Sequence, residues 1–120
     1  DELGVPLLGF GFAANEAFIK REGPAIKKFL AATKRGFQAG IEDPKKACEF
    51  MQSKVLLTGS INQCVDYFTG LMALSQKPSD PNWGRQTAEE WQKLIATLES
   101  VNEIQPGKKA ADFFTNDYVP

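Results

Sequence analysis

Hydrophobic and polar positions recur at helical spacing over most of the chain. From Pro24, the residues Ile26, Phe29, Leu30, Thr33 and Phe37 fall every three or four positions, which predicts a helix with one core face. Lys27, Lys28, Lys34 and Arg35 fall on the opposite side. Pro24 suits a first helical turn, and Gly40 fits a C-terminal stop. Ahead of this helix, Asn15 reads as the N-cap of a short helix to about Arg21, which Gly23-Pro24 breaks. Asp43-Pro44 repeats the cap-then-proline signal and starts a helix to about Gln52. Ser60 can cap the next one, where Ile61, Cys64, Val65, Phe68, Leu71 and Met72 give the clearest amphipathic stripe. Gln76 to Gln86 reads as a loop. Thr87 with Glu90 is a capping box, opening a helix whose core face is Trp91, Leu94, Ile95 and Leu98. From Asn102 the chain reads as irregular, ending in FFTNDYVP.

One segment departs from that period. Leu7 to Ala14 (LLGFGFAA) is short, apolar and aromatic, follows Pro6, and reads as the one clear strand. Its internal Gly9 and Gly11 mark a bend or the close approach of a ligand or another backbone. A lone strand cannot satisfy its own backbone hydrogen bonds. It must pair outside the chain or with a copy of it. The sequence therefore reads as part of a larger α/β unit, and the isolated piece is expected to self-associate through an open apolar edge.

Composition narrows the chemistry. The 120 residues, 42% hydrophobic and 24% charged, suit one domain with one core. With 14 Lys+Arg against 15 Asp+Glu the net charge is −1, which argues against nucleic acid as a partner. The absence of His excludes a Ser-His-Asp or Cys-His engine within this chain, and two cysteines alone do not make the usual zinc set. Leu3 to Ala14 is interrupted by glycine and proline and is far short of the roughly 20 apolar residues a membrane helix needs. The chain begins at Asp1 with neither Met nor a signal-peptide pattern, and reads as a processed or cut piece. Cys48 and Cys64 lie on different predicted helices. Two buried free thiols are the plainer reading, a disulfide the alternative, and the redox compartment stays open.

The best candidate site is Gly9, Phe10, Gly11 and Phe12. Glycines let a ligand approach the main chain, and a phenylalanine ring can stack on a flat ligand. The plainer reading is a strand whose phenylalanines alternate into two apolar layers. A dinucleotide fingerprint lacks its third glycine and acidic partner here. Asn15 is explained as a cap, with a place at a cleft edge as the alternative. Residues 20 to 54 carry nine Lys/Arg against four acids, which a solvated helix face explains. Trp83 reads as sealing its loop onto the core, with an indole over a ligand as the alternative. Glu89 and Glu90 are explained by the capping box. No nucleophile–base or acid–base arrangement stands out.

The order of GFGFAANEAFIK, PAIKKFLAATKRGFQAGIEDPKKA, a late Trp-containing helix and a terminal FFTNDYV resembles the C-terminal part of the thiamine-pyrimidine-precursor binding and synthesis family. The resemblance runs from about Gly4 to Val119. It implies an α/β fold of the type II periplasmic-binding-protein kind, two lobes with a ligand cleft between them. Residues 1–120 would be the strand and helices of the first lobe, with the remainder of the fold absent. The chain alone would be mostly α-helical with one strand. The implied function is that of the substrate-binding component of an ABC importer. It would hold a pyrimidine-like small molecule by cleft closure, without chemistry or cofactor. Its partner would be an ABC permease and its location extracytoplasmic or periplasmic. Within this reading Gly9, Phe10, Gly11, Phe12 and Asn15 are the ligand-binding candidates. The family's enzyme branch, the hydroxymethylpyrimidine phosphate synthases, uses an active-site His and pyridoxal phosphate, and carries a CCCFC segment before the strand. Here the matching stretch is Gly4 to Leu8 (GVPLL), without Cys, which favours the binding branch. A self-associating helical module is the third alternative.

Overall fold

The computed structural model describes residue 9 and residues 11–54, 59–74 and 77–120 (71–74 by backbone only). Among the described residues four α-helices follow one another: α1 (Glu16–Glu42), α2 (Pro44–Lys54), α3 (Ile61–Leu74) and α4 (Ala88–Ser100), with a short 3-10 helix at Ala110–Asp112. Their starts are set locally. Asn15 Oδ1 accepts from the Ala17 N–H at 2.8 Å, and Asp43 Oδ1 from the Lys46 N–H at 3.0 Å. Ser60 and Gln63 cap each other reciprocally: the Gln63 N–H donates to Ser60 Oγ at 3.2 Å and the Ser60 N–H to Gln63 Oε1 at 2.9 Å. Thr87 and Glu90 form the expected capping box. Each arrangement satisfies orphan donors of a first helical turn.

The predicted break ahead of Pro24 is a kink. Glu22 leaves helical geometry (φ −114°, ψ 23°) while the helix continues on either side of it. Pro24 has no N–H to give and its ring crowds the preceding turn, so the bend falls just before it.

The chain divides into two compact units, one of residues 1–26 with 85–119, the other of residues 27–84 with Pro120. In the second, α2 and α3 pack together and are joined by a disulfide between Cys48 and Cys64 (Cα–Cα 6.0 Å). The expectation of two free thiols is thereby corrected. Sequence spacing could not register the pair, because the turn between the helices decides whether the two Cβ atoms meet. The Phe37 ring lies 6.3 Å from Phe68 and 5.7 Å from Trp83. Gly40 is buried under Phe68, inside α1 and not at its stop as its type suggested. Phe29, placed on the core face by its spacing, is 53% exposed.

In the first unit α4 supplies the buried Ile95, and the end of the chain packs beside it. The Trp91 ring stacks with Phe113 at 5.4 Å and Phe114 at 6.0 Å between centroids. The segment read as irregular is thus a packed element. Its order comes from ring contacts and turns without regular periodicity.

The predicted strand is also corrected. Among the described residues there is no strand, and Gly9 and Gly11–Ala14 are irregular backbone. Gly9 has φ 70°, outside strand geometry. Leu7, Leu8 and Phe10 lie outside the described residues. A strand exists only with a hydrogen-bonding neighbour, and the described chain offers none.

Candidate functional site

The sequence candidates lie where the chain enters α1. Gly9 sits in the left-handed region, which glycine reaches without strain, and a Cβ at Gly9 or Gly11 would meet nothing within 4 Å. Phe12 is 67% exposed. Asn15 follows as the cap of α1, the role its type predicts. One turn on, Phe18 is exposed, with the Arg21 guanidinium 5.9 Å from its ring centroid. Arg21 also pairs with Glu22 at 2.9 Å on the surface. Phe10 lies outside the described residues. The described members therefore form a glycine-bearing approach with an aromatic side chain displayed beside it. Such a segment can present main-chain polar groups and a ring face to a flat ligand.

Other candidates resolve as structure. Trp83 is half-buried, tilts onto Phe37 and has the Lys34 ammonium 5.8 Å from its ring centroid, so it seals its loop. The loop turns on Asp80, whose Oδ1 accepts from the Asn82 N–H at 2.7 Å and whose carbonyl accepts from the Trp83 N–H at 3.0 Å. Glu90 belongs to the capping box. Glu89 pairs with Lys93 one turn on, at 2.7 Å. The hydrogen bond and charge of Lys93 hold the Glu89 carboxyl below its ordinary range, and Glu89 holds the Lys93 ammonium above its own. Both groups are at the surface. Asp112 accepts from the Lys109 N–H at 2.9 Å. Among the described residues, no group of three or more Cys, Asp or Glu could hold a metal ion.

Two features escaped the sequence. The first is Asn116, which takes the Gln86 N–H on Oδ1 at 3.0 Å and donates from Nδ2 to the Gln86 carbonyl at 2.8 Å. Gln86 in turn accepts from the Trp91 indole. The terminal FTN signature thus does structural work: Phe114 stacks on Trp91 and Asn116 clasps the chain entering α4. The second is an open apolar groove of about 670 Å³ in the unit of residues 27–84. It is walled by Thr33, Gly36, Phe37 and Ala39 of α1, by Ala47, Phe50 and Met51 of α2, and by Phe68 of α3, with Glu42, Asp43 and Lys46 also bordering it. Only the exposed Phe50 and Met51 could have signalled it, as apolar residues off a core stripe.

Residues 1–47 match the family model described as NMT1/THI5 like, a stretch that holds every candidate from Gly9 to Asn15. The chain is similar to the NMT1/THI5-like family. Over 113 residues it is 28% identical to a formylaminopyrimidine-binding protein of Halalkalibacterium halodurans. That alignment takes in 86% of this chain and 32% of the relative, so the chain spans about a third of the relative's length. No solved structure matches it. The named relative is a binding protein, while the family also includes synthases.

Proposed function

We propose that this chain is the C-terminal part of an extracytoplasmic substrate-binding protein that delivers a thiamine pyrimidine precursor to an ABC permease. The observation that carries the reading is the similarity to a formylaminopyrimidine-binding protein along 113 residues. The local geometry supports it. Gly9 and Gly11 leave the main chain open to a planar ligand, Phe12 offers a ring face, and Asn15 fixes the start of α1 beside them. Phe10 completes the candidate set. The mechanism is hinge closure of two lobes over the ligand, with ring stacking and a few hydrogen bonds and no bond made or broken. Such a mechanism needs neither His nor cofactor. Helix faces away from the ligand would serve the permease.

A formylaminopyrimidine titrated calorimetrically into the polypeptide, expressed with all the coding sequence that precedes Asp1 in its gene, tests the reading. Saturable one-to-one binding with the ligand recovered unchanged is expected. Absence of binding overturns it. A requirement for pyridoxal phosphate, with formation of a new pyrimidine, would assign the chain to the synthase branch instead.

Self-association of the 120-residue piece remains part of the proposal on a new footing. No described strand supplies an edge, but the apolar groove and the exposed Phe50 and Met51 leave a surface that a second copy would cover. Light scattering across a concentration series is expected to give a mass above 13.2 kDa, and a constant monomer mass overturns it.

A further inference from the structure

We propose that oxidation of Cys48 and Cys64 completes the folded form of residues 27–84, so that this unit reaches its native state only in an oxidising compartment. Helix α2 has 11 residues, below the roughly 12–15 at which an isolated helix begins to hold in water. Among its residues the buried one is Cys48, with no exposed surface at all, whereas Phe50 is 63% and Met51 41% exposed. The apolar burial that ordinarily docks a helix is thus concentrated on the cysteine itself. That cysteine is bonded across 16 residues of sequence to Cys64, on the apolar stripe in the first turn of α3.

The bond attaches α2 to α3 where α2 buries little apolar side chain besides the cysteine itself. It removes chain freedom from the unfolded form, by about a hundredfold in the folding equilibrium for a loop of this length. It also fixes the walls of the groove, since Ala47 adjoins Cys48 and Phe68 lies one turn beyond Cys64. In the step itself the two thiols lose two protons and two electrons and one S–S bond forms. The electrons pass to a disulfide-bearing oxidant, which leaves as a dithiol. A reducing cytosol withholds that oxidant. The proposal does not depend on which ligand the protein takes.

Chain exported to an oxidising compartment and purified without reductant is denatured in iodoacetamide and weighed intact. The expected mass is that of the sequence less two hydrogens, with no alkyl group added. Hydrogen exchange is then followed with and without a phosphine reductant. Reduction is expected to speed amide exchange in α2 and α3 by about a hundredfold while α4 keeps its protection. If the reduced chain precipitates, the double substitution Cys48→Ala with Cys64→Ala, which adds no polar group, is read the same way. Alkylation of both cysteines without reductant overturns the proposal. So does unchanged protection of α2 and α3 after reduction and in the double variant, and so does equal loss in α4.

Discussion

The ring of Phe68 lies against the bare Cα of Gly40, so closely that a Cβ built there would come within 2.7 Å of Cε1. Helix α1 is otherwise a place where glycine costs stability, by about 1 kcal/mol relative to alanine. The close approach decides which effect wins. Gly40→Ala forces the ring or α3 aside, and overpacking of this kind costs about 1–3 kcal/mol, which exceeds the helix-propensity gain. Gly36 has nothing within 4 Å of its missing Cβ, so Gly36→Ala keeps the gain of up to about 1 kcal/mol. Urea denaturation of the two variants is expected to move the midpoints in opposite directions. Equal shifts of either sign would contradict the packing seen here.

The clasp between Asn116 and Gln86 bridges 30 residues of sequence with two hydrogen bonds. Both are partly buried, and each contributes about 1 kcal/mol, with a further penalty for the Gln86 groups left unpaired. Asn116→Ala is expected to cost about 2–3 kcal/mol. Asn116→Asp keeps the acceptor for the Gln86 N–H but sets an anion against its carbonyl, so it recovers little. Because Gln86 also receives the Trp91 indole N–H, both variants should shift indole emission. Unchanged emission in Asn116→Ala would detach the clasp from Trp91.

These relationships mark the limit of what the chain's spacing discloses. The caps at Asn15, Asp43, Ser60 and Thr87 and the break before Pro24 were legible, because each depends on residues within a turn of one another. The Cys48–Cys64 bond, the burial of Gly40 and the clasp by Asn116 were not. Each joins residues far apart in sequence and depends on how helices pack. The strand reading fails at its described residues for a related reason: LLGFGFAA has the composition of a strand, but a strand needs a neighbour, and Gly9 at φ 70° leaves strand geometry. Of the candidate site, Asn15 was legible in its structural role. The groove was invisible, since nothing in the spacing of Phe50 and Met51 says that they stay exposed.

On α4, the pairing of Glu89 with Lys93 makes a pH prediction with a definite sign. Glu89 is lowered by its hydrogen bond to, and the charge of, Lys93, so its contribution is present above the unfolded carboxylate value and fades as pH falls through the lower folded value. Lys93 is raised by the same partner, so its contribution is full below the unfolded ammonium value and fades as pH rises through the higher folded one. The pair is therefore intact across the neutral range and lost at both extremes. Both side chains are exposed, so the effect on stability is small. Carboxyl NMR titration should place the Glu89 midpoint below the ordinary glutamate value, and Lys93→Met should restore it. A Glu89 midpoint indifferent to Lys93→Met would show that the pair does not persist in solution.

The ligand reading makes its sharpest demand on Phe12. A ring that is 67% exposed contributes little to the described fold, so Phe12→Ala is expected to leave the melting temperature within about a degree of the parent. If the ring stacks on a bound pyrimidine, its removal forfeits about 0.5–1.5 kcal/mol, which is roughly a twofold to tenfold loss of affinity in the polypeptide carrying its upstream coding sequence. Tyr67→Ala, on an equally exposed ring of α3 in the other unit, is the matched control and should leave affinity unchanged. Gly9→Ala adds the other half of the test. At φ 70° alanine is strained, so the approach to α1 must shift, and affinity should fall even though the added Cβ meets no atom. Loss of affinity in Phe12→Ala and Gly9→Ala together, with Tyr67→Ala unaffected, places the ligand at the entry to α1. Unchanged affinity in the first two removes Gly9–Asn15 from the site and leaves the pyrimidine to be held by other residues.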